Sequence, residues 1–358
     1  MTLAGTFAFQ HRFDPAGGSR LTISGGQRPE VARLLAGRSL SEASRLIPLL
    51  FNLCRRAQGV ACARGAEQSQ GLTVDSATAH RRQWLLQLEW LQEHLWLLWV
   101  RLPQWLQLSP RAVAMSRASQ LLQRCMQALE QGEAGEQSRL WDWAGTVYSE
   151  DFAHSMAGAT ALQPLLEAVA DLDWRSAYRP LPLPKTDTAW WRDCNEFRAG
   201  LPPAPQGPAH GNETGALVRQ QHGVSVAESL RSGWCLIPRL LAVVEEVRTL
   251  LSALAQGRIA EQLVAAEPGN PSPSRLVLGQ AETARGRLVH GMVLGEESQQ
   301  VQQYRVIAPT DWNFQPQGAL PAMAADLPAA DCGLTRQRLG ALVVLMNPCV
   351  GWELVCDA

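Results

Sequence analysis

Hydrophobic positions recur at helical spacing along most of the chain, and strand-like alternation is confined to two regions. Apolar residues at intervals of three and four predict helices that start near residue 29 and then cover 41–65, 76–101, 110–132, 158–172, 225–256 and 331–346. Alternating or β-branched segments predict strands within 1–28 and at 275–278, 286–294 and 300–307. The pattern therefore predicts an α+β fold that is predominantly helical, with small β elements at the N-terminus and in the last third.

A proline-rich section interrupts this pattern at about 176–215. We expect it to be irregular, either as a linker or as a mobile loop. The chain then divides into four parts. They are a small β element (1–28), a helical section (29–175), the proline-rich section (176–215), and a mixed helical and β section that ends in a cysteine motif (216–358).

Composition excludes several classes of function. The 358 residues include 32 Lys+Arg and 33 Asp+Glu, so no basic excess favours a nucleic acid or an anionic membrane as partner. The one lysine, Lys185, lies in PLPKTDT, which is not a phosphate-binding loop, so a Walker-type NTPase is excluded. The N-terminus lacks the pattern of a signal peptide, and the apolar segment 84–108 is interrupted by charges and a proline. We therefore expect a cytoplasmic protein.

Cysteines are the candidate metal ligands, and they lie near opposite ends of the chain. Cys54 and Cys62 are in one segment, and Cys349 and Cys356 are in the other. No Cys-x-x-Cys pair occurs, so a structural zinc site has little support. A single cysteine is more often a small buried hydrophobic residue than a ligand. Two thiolates also leave a metal under-coordinated unless exogenous ligands complete the set.

Five segments match known motifs in the order in which one family carries them. They are 31–38 (VARLLAGR), 53–61 (LCRRAQGVA), 282–290 (ETARGRLVH), 304–313 (YRVIAPTDWN) and 347–349 (NPC). They resemble LL-x-GR, R-x-C-G-x-C, E-x-P-R-G-x-L-x-H, Y-x-x-x-x-P-[ST]-T-W-N and D-P-C-x-x-C-x-x-H of the nickel–iron hydrogenase large subunit. The resemblance implies that family's helical core, as a single large-subunit-like domain over 1–358.

Departures from these motifs affect the metal ligands. In the family, four cysteines hold nickel, and the second of each pair also bridges to iron. The second positions here are Ala57 and Trp352, so both bridging thiolates are missing. Three further departures are Asn52 for the first arginine, Val355 for the terminal histidine, and Ala32, beside Glu30, for the proton-relaying acid. The resemblance therefore implies no nickel, no hydrogen cleavage and no enzymatic activity.

The retained positions are those that surround iron. Cys54 and Cys349 match the terminal thiolates of the family. Arg285 and Thr310 match the groups around the cyanide ligands of iron, as does the backbone at Ala284, Ala308 and Pro309. A guanidinium and a hydroxyl suit the negatively charged nitrogen of bound cyanide. Without the resemblance, the simpler interpretation is that Arg285 pairs with a surface carboxylate and Thr310 caps a turn.

Lost nickel ligands beside a retained iron site are typical of the HupK/HoxV-type hydrogenase maturation proteins. The resemblance implies a scaffold that transiently binds the Fe(CN)2CO unit. Its partners would be chaperones of the HypC/HypD type and the hydrogenase large subunit, to which it passes the unit. The alternative is a metal-free mimic of the large subunit that docks maturation chaperones. A thiol enzyme using Cys54 has little support, because no His/Asp partner lies at a meaningful spacing. Cys62 and Cys356 are either relay thiols or packing residues.

Overall fold

Helices predominate in the computed structural model. It describes residues 5–13, 18–26, 33–51, 53–133, 137–152, 162–183, 212–263, 276–295 and 300–357. The helices are α1 (Leu40–Leu50), α2 (Arg55–Gln70), α3 (Ser76–Trp96), α4 (Leu102–Trp105), α5 (Ala112–Gln131), α6 (Gln137–Val147), α7 (Gln163–Leu172), α8 (Ala216–Gln220), α9 (Val224–Arg231), α10 (Ile237–Ala255), α11 (Pro309–Asn313), α12 (Ala319–Ala325) and α13 (Cys332–Met346). Among the described helices, none is both long and apolar enough to cross a bilayer.

Two three-stranded sheets accompany the helices. In the first, β1 (Phe7–Phe13) pairs antiparallel with β2 (Ser19–Gly25) and parallel with β6 (Trp352–Cys356). In the second, β4 (Gly286–Leu294) lies between β3 (Leu276–Thr283) and β5 (Val301–Ile307), with both pairings antiparallel. The strands predicted from the sequence are confirmed. β6 is an addition that places the segment after Cys349 beside the N-terminal hairpin.

The predicted single helix over 41–65 is wrong, because the chain breaks between α1 and α2. Ser39 caps α1 in a reciprocal pair with Glu42. Phe51 leaves the helix in an extended conformation, and Cys54 has non-helical dihedral angles (φ −125°, ψ 42°). The break therefore puts Cys54 at the N-cap of α2 instead of inside a helix.

Two other helix predictions need correction. The helix predicted over 76–101 does not end at residue 101, because a π-helical turn (Leu97–Arg101) joins α3 to α4, which contains Pro103 and continues to Trp105. The predicted helix over 225–256 is two helices, α9 and α10. The carboxylate of Asp173 accepts the N–H groups of Leu236 and Ile237 and thereby caps α10.

Parts of several predictions lie outside the described residues. They include residues 29–32 of the first predicted helix, residues 158–161 of the helix predicted at 158–172, and residues 184–211 of the proline-rich section. The described parts of that section, 176–183 and 212–215, form neither helix nor strand. They contain one isolated bridge, which joins Leu181 to Asn212.

Helix α2 lies directly on β3. A Cβ atom placed on Gly279 of β3 would lie 1.7 Å from the carbonyl oxygen of Ala61 in α2. Only glycine permits this approach. The contact fixes α2, whose N-cap is Cys54, against the second sheet. The β3–β4 turn of that sheet contains Arg285.

Candidate functional site

Cys54 and Cys349 come together from opposite ends of the chain. Cys54 is the N-cap of α2, and Cys349 lies two residues beyond Asn347, which ends α13 in a left-handed conformation (φ 54°). Both side chains are half-buried. Burial, together with electrostatic repulsion from Cys349 and Glu89, raises the pKa of the Cys54 thiol to about 12. The two sulfurs therefore interact electrostatically, and Cys54 is a neutral thiol at neutral pH in the metal-free chain.

Thr310 contacts Cys349 directly. Its hydroxyl donates a hydrogen bond to Cys349 Sγ over 3.1 Å, and it accepts one from the Cys349 backbone N–H over 3.5 Å. Thr310 lies in the first turn of α11, immediately after Pro309. The simpler interpretation expected this hydroxyl only to cap a turn. In the structure it also contacts a sulfur.

Arg285 is buried in the turn between β3 and β4. Its Nε donates to the Asn347 carbonyl oxygen over 2.9 Å, and its Nη2 donates to Glu93 Oε2 over 2.5 Å. Its Nη1 is buried and has no hydrogen-bond partner. Burial acts to lower the pKa of Arg285, but Glu93, Cys349 and Cys54 outweigh burial and raise the pKa above its usual value. Arg285 therefore pairs with a buried carboxylate, keeps one free donor, and interacts electrostatically with both cysteines.

Two acids on α3 hold this arrangement, and the sequence analysis missed their role. Glu89 and Glu93 are one helical turn apart, so they share a face of the helix. Glu89 accepts the backbone N–H groups of Arg56 and Ala57, each over 3.0 Å, at the N-terminus of α2. Glu93 pairs with Arg285. The sequence feature that could have identified them is a pair of acids within a mostly apolar helical stretch. Buried charges require partners, so such acids are expected to contact polar groups of the site.

Both positions of the missing bridging thiolates are occupied by other side chains. Ala57 is fully buried in α2. Trp352 begins β6, and its ring lies 5.3 Å from that of Trp105 and 6.1 Å from that of Phe9. Among the described residues, no group of three or more His, Cys, Asp and Glu side chains could hold a metal ion. A metal bound at Cys54 and Cys349 would have to bring further ligands. Of the three further departures, Ala32 and Asn52 lie outside the described residues, as does Glu30, and Val355 is exposed on β6.

The remaining candidate side chains lie apart from the sulfur pair. Cys62 is fully buried and lies 3.6 Å from Ser44 Oγ, and Cys356 is half-buried on β6. His94 is buried and pairs with Glu246 over 2.8 Å. His290 is fully buried in β4, where its ring nitrogens contact a tyrosine and a glutamine.

Comparison with known proteins places the chain in a family. The hydrogenase expression/formation protein HupK of Bradyrhizobium diazoefficiens is 30% identical over 356 residues, which cover 93% of this chain and 92% of that protein. This chain belongs to the HupK/HoxV family. HoxV of Cupriavidus necator, also a hydrogenase expression/formation protein, is 29% identical over 363 residues, covering 92% and 91% of the two chains. No family model matches the chain.

Solved structures confirm the predicted fold of this HupK/HoxV-family protein. A chain of the Ni-Fe-Se hydrogenase from Desulfovibrio vulgaris Hildenborough matches with a TM-score of 0.63 at 14% identity, covering 96% of this chain and 98% of the other. A chain of an NAD+-reducing [NiFe]-hydrogenase matches with a TM-score of 0.57 at 16% identity, covering 92% of each. The HupK/HoxV-family protein therefore has the fold of a nickel–iron hydrogenase large subunit.

Proposed function

We propose that this HupK/HoxV-family protein is a maturation scaffold that transiently binds the Fe(CN)2CO unit as cargo. Cys54 and Cys349 would hold the iron, and the protein would then pass the unit to the hydrogenase large subunit. The relatives named as hydrogenase expression/formation proteins support a role in maturation. Chaperones of the HypC/HypD type would supply the cargo, and this chain would have no catalytic activity of its own.

The observation that carries the proposal is the unpartnered Nη1 of Arg285, a residue that interacts electrostatically with both cysteines. A buried guanidinium donor without an acceptor is costly, so the pocket suits a ligand that supplies one. Cyanide on iron has a negatively charged nitrogen that accepts such a bond. Thiolates suit iron of this kind, and two of them leave room for one CO and two cyanides.

Other groups around the sulfurs would have different tasks. The Thr310 hydroxyl already donates to Cys349, so it would tune the thiolate instead of binding a cyanide. The Ala308 N–H donates to Asp311 Oδ2 over 2.8 Å, and Pro309 has no N–H. Ala308 and Pro309, with Ala284, would therefore line the cargo with apolar surface, and Arg285 would be its main donor.

Metal analysis of the loaded protein tests this proposal. The chain would be purified without oxygen from cells that express the hydrogenase maturation machinery, and its iron and nickel would be assayed. We expect iron without nickel, and loss of iron in Cys54→Ala and Cys349→Ala. Cys235→Ala is the matched control, because Cys235 is a buried cysteine whose backbone N–H donates to the Trp174 carbonyl oxygen. Iron that stays bound in both variants would overturn the proposed ligands.

The metal-free docking mimic is the second candidate. Trp96 favours it, because this large side chain on α3 is 45% exposed while Trp90 and Trp99 are buried. Complementation of a strain that lacks this protein separates the two candidates. A docking mimic predicts that Cys54→Ala and Cys349→Ala restore hydrogenase activity and that Trp96→Ala does not. The scaffold predicts that both cysteine variants fail.

A further inference from the structure

A row of buried polar side chains runs from Cys54 into the sheet. Gln58 Nε2 donates to Cys54 Sγ over 3.6 Å, and Gln58 Oε1 lies 2.8 Å from His290 Nε2. His290 Nδ1 lies 2.6 Å from the Tyr304 hydroxyl, which also bonds to the Cys62 thiol. Gln58 and Tyr304 are only 1% and 3% exposed, and His290 and Cys62 are fully buried. Such a row has one defined arrangement of donors and acceptors only if every polar group in it has a hydrogen-bond partner.

The Gln58 amide, whose oxygen lies toward His290 and whose NH2 group lies toward Cys54, sets the direction of this row. Burial lowers the pKa of His290 to about 3, so the ring is neutral and carries a single N–H. Because Gln58 Oε1 can only accept, His290 Nε2 must carry that hydrogen. His290 Nδ1 is then an acceptor, and the Tyr304 hydroxyl donates to it. The amide of Gln58 is thereby held with its NH2 group facing Cys54.

We propose that His290 and Tyr304 are positioning residues, which orient the Gln58 amide so that its NH2 group donates to the sulfur of Cys54. The reversed row would point the amide oxygen at that sulfur and repel a thiolate. With the orientation observed, Gln58 donates to Cys54 as Thr310 donates to Cys349, so a side-chain donor contacts each sulfur. The inference assigns Cys62 to the far end of the row, as a packing partner of Tyr304 and not as a relay thiol.

The functional meaning of this orientation rests on the proposed role of Cys54 as an iron ligand. The orientation itself is tested on the full-length chain without cargo. A failure here leaves the iron proposal standing. The first measurement is nitrogen NMR of the chain labelled with ¹⁵N in its histidine rings, with His290 identified by the signals that His290→Gln removes. We expect a protonated Nε2 and an unprotonated Nδ1. A protonated Nδ1 would mean that the row runs in the opposite direction and would overturn the proposal.

The second measurement compares the alkylation rates of Cys54 and Cys349 in one sample at one pH, by mass spectrometry of their peptides. Gln58→Leu removes the donor, so we expect alkylation of Cys54 to slow about tenfold while that of Cys349 is unchanged. Tyr304→Phe lets the amide turn, so we expect a smaller slowing, of about twofold, at Cys54 alone. A merely structural role would loosen the site and speed the alkylation of both cysteines, which would contradict the proposal.

Cys62→Ala is the control at the end of the row. It leaves the Tyr304 hydroxyl free to donate to His290, so we expect the alkylation rate of Cys54 to stay within about twofold of the unaltered chain. A tenfold change in this variant would overturn the assignment, because it would mean that Cys62 communicates with Cys54.

Discussion

Thr310 Oγ1 lies 3.1 Å from Cys349 Sγ and donates a hydrogen bond to it. The contact joins the first turn of α11 to the loop after α13, two segments that are 39 residues apart in the chain. Hydrogen bonds from neighbouring groups to a ligand atom tune the metal that the ligand holds. This contact therefore yields a prediction about the bound cargo and not only about the fold.

Replacing Thr310 by Val removes the hydroxyl and keeps the shape of the side chain. The Cys349 thiolate then becomes a stronger electron donor to iron, so we expect the CO stretching band of the loaded protein to move to lower frequency. Infrared spectroscopy measures the shift, and Thr310→Ser is the control that keeps the donor. An unchanged CO band in Thr310→Val would mean that Thr310 does not act on the bound iron through Cys349.

Replacing Glu93 by Gln leaves Arg285 without its buried counter-ion. Breaking a buried pair in this way costs about 3–5 kcal/mol of unfolding free energy. Denaturant unfolding measures the loss, and Glu245→Gln is the control. Glu245 pairs with Arg248 at a partly exposed site of α10, so we expect a cost below about 1 kcal/mol there. Equal costs in the two variants would contradict the buried position of the Arg285 pair.

Replacing Gly279 by Ala tests the close approach of α2 to β3. The new Cβ meets the Ala61 carbonyl oxygen, so the helix must shift, and we expect a loss of about 1–3 kcal/mol of unfolding free energy. Gly145→Ala is the matched control. The nearest atom to its Cβ is 3.7 Å away, and alanine is the better helix former, so this change should be neutral or slightly stabilising. A neutral Gly279→Ala would rule out the tight contact.

His290 predicts a specific dependence of stability on pH. Its pKa falls from 6.5 to about 3 on folding, so the unfolded chain takes up a proton between these values and the folded chain does not. The contribution of neutral His290 to the free energy of unfolding is complete above about pH 6.5. It is lost as the pH falls below this value, by up to about 1.4 kcal/mol per pH unit. Urea unfolding from pH 7 to pH 4.5 measures the slope. The slope should decrease in His290→Gln, and an identical slope would contradict a neutral, buried His290.

The sequence predicts the residues of the site better than it predicts their supports. Cys54, Cys349, Arg285 and Thr310 are identifiable because they occur in motifs with fixed spacing. Glu93 is not identifiable in this way, because its contact with Arg285 spans 192 residues of sequence. Only the folded chain shows that this acid in α3 lies beside the β3–β4 turn.

The errors in the fold prediction have local physical causes. Apolar periodicity continues through residues 51–54, so it cannot show that the Glu89 carboxylate caps a new helix at this point. β6 has few residues and pairs with β1 more than 300 residues away, so its sequence gives little indication of a strand. Both errors affect the immediate surroundings of a candidate iron ligand.

The proposed function requires that Cys54 and Cys349 hold an iron that carries CO and cyanide. Infrared spectroscopy of the oxygen-free protein, purified from cells with the maturation machinery, detects these ligands. We predict bands of metal-bound CO and cyanide that disappear in Cys54→Ala and in Cys349→Ala and persist in Cys235→Ala. A protein that is required for maturation but shows no such bands, or bands that persist in both cysteine variants, would contradict the claim.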